Sequence, residues 1–225
     1  GADGKPRDFL YREETGHPGG SEKGQPHYYL LSPEPPAVNT PLFDVECKPF
    51  DPVLSAGDRL SFRIRVNPVV SRRREGQKNS TRHDVVMDAQ YQTLHSLCQA
   101  LEIDTTGKTK RVLSRELASL PFEQLQPLVE SRWPEQADCS SLPVLLRART
   151  ELAKIEWLLQ RSERHGFSLE SDKEGYRLRS DGYRWHALPR KGRQAGFSTL
   201  DYEGVLRVTE PERFKAMLCS GLGKA

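Results

Sequence analysis

A chain of 225 residues with 36% hydrophobic content suits one large domain or two small ones and one or two modest cores. No run of about 18 apolar residues is present to span a bilayer, and the start does not read as a signal peptide, so a soluble, cytoplasmic protein is expected. The formal net charge is only +3, yet the cations cluster while the acids are spread, which leaves room for a local polyanion site.

In chain order, Asp8 to Glu14 predicts a strand with Phe9 and Tyr11 on one side. Thr15 to Pro26 holds four glycines and two prolines and reads as a turn, after which His27 to Leu31 completes a hairpin. Ser32 to Pro41 carries four prolines, too many for a helix, and links to a third strand expected around Leu42 to Phe50.

After the turn at Ala56-Gly57-Asp58 comes the most informative stretch. From Arg59 the alternation of Leu60, Phe62, Ile64 and Val66 against Ser61, Arg63, Arg65 and Asn67 has a period of two, so one strand face is buried and the other is basic. Beyond Pro68 the pattern dissolves into Arg72, Arg73, Arg74, Lys78 and Arg82, ending at His83, which reads as a mobile positive loop hung from that strand. Such a loop suits a polyanion.

From Asp84 the texture becomes helical. Leu94, Leu97, Cys98 and Leu101 repeat at helical spacing, and Ser114 to Glu130 and Pro143 to His165 are predicted helices, the last ending at Gly166. Strand-like pieces follow at Phe167 to Ser171 and Gly175 to Ser180. A larger hairpin comes next, with arms Tyr183 to Leu188 and Phe197 to Val208 and a tip, Pro189 to Gly196, carrying Arg190, Lys191 and Arg193 without an acid. A helix from Glu210 to about Ser220 precedes Gly221, Gly223 and Lys224. Cys47, Cys98, Cys139 and Cys219 form no CxxC pair, which predicts reduced, buried thiols rather than zinc ligands or disulfides. No cofactor or metal is expected.

The strand at Arg59, the helix at Glu151 to His165, a strand or two, the strand at Thr199 and the last helix give the order βαββα. One strand would complete a ferredoxin-like βαββαβ unit, expected just after Lys224. The opening half shows three strands that complete a similar unit only with a strand and helix before Gly1. The fold class expected is therefore α+β: tandem ferredoxin-like (RRM-like) domains, each lacking terminal elements. They occupy residues 1–56 and 57–225, the second interrupted by a helical insertion at 88–150.

DFLY near the start, FRIRVNPVVS at Phe62 to Ser71, the basic segment closing in KNSTRH, EWLLQRSERHGFSL, FSTLDYEGVLRVTEPERF and the terminal SGLGKA occur together and in order. This series resembles the CasE family, endoribonucleases that cut CRISPR repeat RNA in type I-E systems, and covers nearly all of the chain outside Asp88 to Thr150. The resemblance implies two ferredoxin-like domains, recognition and cleavage of a repeat hairpin without metal, and retention on the mature guide RNA beside other subunits of a surveillance complex. It also implies that the hairpin at Arg190 enters the RNA major groove. The family's catalytic histidine lies on a helix that would precede Gly1, so no catalytic residue is assigned here.

Cleavage of this kind uses the ribose 2′-hydroxyl as nucleophile and suits imidazole as general base and acid. Of the six histidines, His83 and His186 lie closest to the basic segments; none occupies the family's catalytic position. The RNA-binding set expected is Arg63, Arg65, Asn67, Arg72, Arg73, Arg74, Lys78, Arg82, His83, Arg190, Lys191, Arg193, Gly221, Gly223 and Lys224. Tyr183, Trp185 and Phe197 flank the tip, with core packing and base stacking both open to them. The alternative function is a non-catalytic RRM-like module that holds structured RNA.

Overall fold

The computed structural model describes residues 9–15, 26–35, 42–73, 80–188 and 195–222. The strands are β1 (Leu10–Thr15), β2 (Pro26–Leu31), β3 (Arg59–Val66), β4 (Val69–Arg72), β5 (Thr81–Asp84), β6 (Phe167–Leu169), β7 (Ser171–Asp172), β8 (Gly175–Tyr176), β9 (Leu178–Ala187) and β10 (Gly196–Val208). The helices are α1 (Val85–Ala100), α2 (Lys110–Ala118), α3 (Phe122–Arg132), α4 (Leu142–Arg164) and α5 (Pro211–Ser220).

The sheet is built on β10, the longest strand at 13 residues. Its Leu200–Arg207 segment runs antiparallel to Val66–Arg59 of β3, and its other edge is shared by β9 and then β6. The resulting order β3-β10-β6, with α4 before β6 and α5 after β10, is the ferredoxin-like βαββα arrangement expected from the sequence. Alternation decides which face is covered: Leu200, Tyr202, Leu206 and Val208 are buried against Trp157 and Leu158 of α4 and Phe214 and Met217 of α5. Tyr202 stacks on Trp157 with ring centroids 6.0 Å apart and donates its hydroxyl to the Lys154 carbonyl at 2.8 Å. That bond satisfies a polar atom in the apolar layer, and burial raises the phenol's pKa.

The helices build a second core, with Leu94, Leu97, Cys98, Leu113, Leu117, Leu125, Val129 and Leu145 all buried together. Helix α4 joins the two cores, its first turns in the helical one and its last in the sheet. The single helix expected over Ser114 to Glu130 is instead two. Helix α2 closes through Leu120 N–H to the Leu117 carbonyl, and Pro121, which has no N–H to continue it, turns the chain before α3 so that Leu125 and Val129 face the same core as Leu113 and Leu117.

Three further expectations are corrected. Leu42 to Phe50 is irregular rather than a strand: it pairs with no strand among the described residues, Pro49 and Pro52 remove donors a ladder would need, and Leu42, Phe43 and Phe50 are exposed. Residues 178–187 are one continuous strand, β9, while Gly175–Tyr176 forms a separate small hairpin with Ser171–Asp172. Cys98 and Cys139 are buried free thiols as expected, but Cys47 and Cys219 are exposed, because neither lies on a face turned to a core.

Candidate nucleic-acid interface

The face of the sheet opposite α4 and α5 is set by the same alternation. In register across β3 and β10, Arg59 stands beside Arg207, Arg63 beside Glu203 and Arg65 beside Asp201, and β9 adds Arg179 and Arg184. Arg63, Arg65 and Asn67 are exposed there, as the sequence led one to expect. Arg65 is not a free cation, however: its Nε and Nη2 hold Asp201 in a bidentate pair at 2.6 and 2.8 Å. The Arg65 guanidinium, helped by Arg63 and Arg184, lowers the Asp201 pKa against the effect of burial.

At the far end of this face Glu170 accepts a bidentate pair from Arg59, with Nη2–Oε2 at 2.6 Å, and lies within 3.8 Å of both Arg177 and Arg207. Arg177 also pairs with Asp172 at 3.2 Å, so three arginines against two carboxylates leave one positive charge over. The Arg59 hydrogen bond holds the Glu170 pKa below the usual carboxylate range, so this cluster stays charged until the pH falls well into the acid range. Arg63 makes no ion pair among the described residues.

The basic loop is more ordered at its base than the sequence suggests. Val69–Arg72 and Thr81–Asp84 pair as a hairpin, which brings Arg82 beside Ser71 and His83 beside Val70. Arg72 closes on buried Asp88 at 2.6 Å, while Arg82 is exposed, as is Arg73, and His83 is half-buried. Arg74, Lys78, Arg190, Lys191, Arg193, Gly223 and Lys224 lie outside the described residues. Gly221, at φ +83°, donates its N–H to the Met217 carbonyl at 2.8 Å, which commits that donor to ending α5.

The hairpin of β9 and β10 carries aromatic rings on both faces. Tyr183, Trp185 and Phe197 are 38%, 50% and 37% exposed, so none is a core residue. His186 stacks on Phe197 at 4.9 Å and hydrogen-bonds Thr199 at 2.9 Å. Tyr183 and Ser198 both donate to the Asp84 carboxylate, which also caps α1 by accepting from the Met87 N–H at 2.8 Å. Burial and the adjacent Asp84 charge push the Tyr183 pKa up to about 12.

Asp84 thus ties the β9–β10 hairpin to the start of α1 and to the β4–β5 hairpin, the two strand pairs between whose arms the basic segments lie in sequence. Asp84→Ala removes the cap and strands two hydroxyls, and is expected to cost about 2 kcal/mol by denaturant titration. Asp84→Asn keeps acceptor capacity and should lose less.

Sequence reading missed Arg59, Arg179, Arg184 and Arg207 as members of this face. The signal was present in β10, where Asp201, Glu203 and Arg207 alternate with Leu200, Tyr202 and Leu206, but the partner strands had to be known before their cations could be placed opposite.

Fold and surface define a class: an α+β protein of ferredoxin-like topology whose arginines gather on one sheet face and at two hairpins. A family model for CRISPR associated protein matches residues 1–225, and the chain belongs to that family. Among solved structures it is similar to Thermus thermophilus Cse3 bound to an RNA representing a pre-cleavage complex, at 21% identity over 99% of this chain and 74% of that one, with a TM-score of 0.53. It is also similar to CRISPR endoribonuclease Cse3 bound to 19 nt RNA (21% identity, 79% of this chain, TM-score 0.42) and to Cas6e from Escherichia coli str. K-12 (18% identity, 98% of this chain and 79% of that one, TM-score 0.47). The chain spans 54% of the Cse3 chain in the 19 nt complex. No curated protein matches. The likeness to the Thermus thermophilus protein supports the fold alone, and with it the tandem ferredoxin-like class.

Proposed function

We propose that this protein recognises the hairpin of a CRISPR repeat, cleaves precursor CRISPR RNA as an endoribonuclease, and stays bound to the mature guide as a subunit of a type I-E surveillance complex. The observation that carries the reading is the coincidence, in a CRISPR-associated chain, of an arginine-rich sheet face with a hairpin that exposes Trp185 and Phe197 and whose intervening sequence holds Arg190, Lys191 and Arg193. A-form RNA has a deep, narrow major groove lined by phosphates, which long cationic side chains suit, and exposed rings stack on unpaired bases. A solved relative in fold, Thermus thermophilus Cse3, is itself bound to an RNA in a pre-cleavage complex.

In this reading residues 1–56 and 57–225 are the two ferredoxin-like units, the helical block at 88–150 is an insertion in the second, and the RNA-binding set is Arg63, Arg65, Asn67, Arg72, Arg73, Arg74, Lys78, Arg82, His83, Arg190, Lys191, Arg193, Gly221, Gly223 and Lys224. Within that set Arg63 and Arg82, which make no ion pair among the described residues, are the stronger phosphate ligands, since Arg65 and Arg72 are already paired with Asp201 and Asp88.

Cleavage without metal requires only that the scissile phosphate be held in line with the substrate's 2′-hydroxyl and that a base and acid stand by. A labelled repeat hairpin in excess chelator should be cut by a form of the protein that carries the family's catalytic histidine helix, with a 2′,3′-cyclic phosphate or its hydrolysis product at the new end, and should be bound but not cut by residues 1–225 alone. Loss of cutting on chelation would refute the chemistry. The second reading, a module that binds structured RNA without cutting it, is favoured by one observation: His95 and His186 are engaged with Thr105 and Thr199 rather than poised beside an acid or base. Tight binding with no cutting by the form that carries that helix, in chelator or in magnesium, would select it.

A further inference from the structure

Away from the sheet face, a groove of about 660 Å³ lies between the β4–β5 hairpin, α1 and α4. Five arginines line it, Arg72, Arg82, Arg149, Arg161 and Arg164, against the carboxylates of Asp88 and Glu156, a surplus of three positive charges. Asp88 is already taken by Arg72. Arg161 belongs to the wall: its guanidinium lies 3.6 Å over the Trp157 ring and donates to the Trp157 and Val69 carbonyls at 3.1 and 3.4 Å. Arg149 lies 4.9 Å over Trp133, and its Nε is buried with no hydrogen-bond partner among the described residues. The rest of the Arg149 side chain is only partly buried and lines the groove, which leaves its terminal nitrogens as the donors nearest to it. Arg164 is exposed at the end of α4. Burial first, and then the Arg164 charge, lower the pKa of both Arg161 and His165 at this end of the groove.

We propose that this groove takes single-stranded RNA continuing from the repeat stem, with phosphates on Arg82, Arg149 and Arg164 and a base laid against the Arg149–Trp133 pair. The proposal rests on the RNA-binding reading above. A duplex is too wide for a space of this size, whereas a few nucleotides of single strand fit, and guanidinium planes stacked on indole are surfaces on which bases of any sequence stack. Continuity supports the same occupant: Arg72 and Arg82 lie on the β4–β5 hairpin, whose basic segment belongs to the proposed stem contact, so a strand leaving the stem enters the groove past them.

Binding is to be measured by fluorescence anisotropy with a repeat stem-loop alone and with a short single-stranded extension on its 5′ or its 3′ side. One extended RNA should bind the unaltered protein about tenfold more tightly than the stem-loop. Arg149→Ala combined with Arg164→Ala should abolish that gain, lower the salt slope for the extended RNA by about 1.4 for two single-strand contacts, and leave stem-loop affinity unchanged. Arg164→Glu, at an exposed position that no packing depends on, should reproduce the loss without a change in thermal unfolding. Proportional loss of stem-loop and extended-RNA affinity in these variants would overturn the proposal. So would an extension that adds nothing to the unaltered protein, or polyglutamate binding that these variants abolish while the extension adds nothing, which would assign the groove to an acidic protein segment. If the unaltered protein binds no stem-loop at all, the RNA-binding reading fails and this one with it; if it binds the stem-loop but ignores the extension, only this one fails.

Discussion

Replacing Arg190, Lys191 and Arg193 together with alanine should weaken binding of a repeat hairpin about a hundredfold at physiological salt. Each lost phosphate contact removes about 0.7–0.9 from the slope of log affinity against log salt, so three together flatten it by about 2 to 3. The sequence neighbours of the tip, Trp185 and Phe197, are exposed on strands anchored to the sheet, so the rings remain while the charges go. The two contributions therefore separate. Trp185→Ala in the otherwise unaltered protein should reduce affinity without changing the salt slope, because stacking releases no counterions. Equal affinity and slope for the triple variant and the unaltered protein would remove this hairpin from the RNA interface.

Gly166→Ala should be among the most damaging single substitutions outside that interface. Gly166 sits at φ +74° between α4 and β6, and an added Cβ would lie 2.5 Å from the Glu210 carbonyl oxygen and 2.9 Å from the Glu210 Cβ. Its own carbonyl accepts the N–H groups of Thr209 and Glu210 at 2.9 and 3.0 Å, which fixes the start of α5 against the end of α4. The left-handed backbone costs an alanine about 1–2 kcal/mol, and the clash with backbone rather than a yielding side chain adds about as much again. A loss on the order of 3 kcal/mol follows, read as a fall of about 6–12 °C in the unfolding midpoint. Gly107→Ala is the control, since φ is +66° there but nothing lies within 4 Å of the added carbon. It should lose the backbone term alone. Equal losses at the two positions would show that α5 is not pinned by this corner.

Much of this molecule is legible in its residue order. The alternation from Arg59 to Val66 determines a strand with one basic face, since successive side chains on a strand must point to opposite sides. Likewise Pro211 at the first helical position and Gly166 and Gly221 just past helix ends mark boundaries that the chain observes, because those residues fit or demand the backbone angles found there. Leu42 to Phe50 shows the limit. Its residues suit a strand, but a strand needs an edge to pair with, and edges are supplied by distant parts of the chain.

Charge is where residue order and tertiary structure part most sharply. Sequence by itself determined that arginines concentrate between Arg59 and Arg82 and at the Arg190 tip. Only the fold decided which of them keep their charge available. Asp201 meets Arg65 from 136 residues away and Asp88 meets Arg72 from 16 residues away, while Arg63 and Arg82 have no such partner among the described residues. The fold likewise gathered Arg149, Arg161 and Arg164 from α4 opposite the β4–β5 hairpin, making one groove from residues that periodicity reads as an ordinary helix surface. The physical reason is range: alternation and capping act between residues a few positions apart, whereas ion pairing and groove formation depend on separations in space that no local pattern encodes.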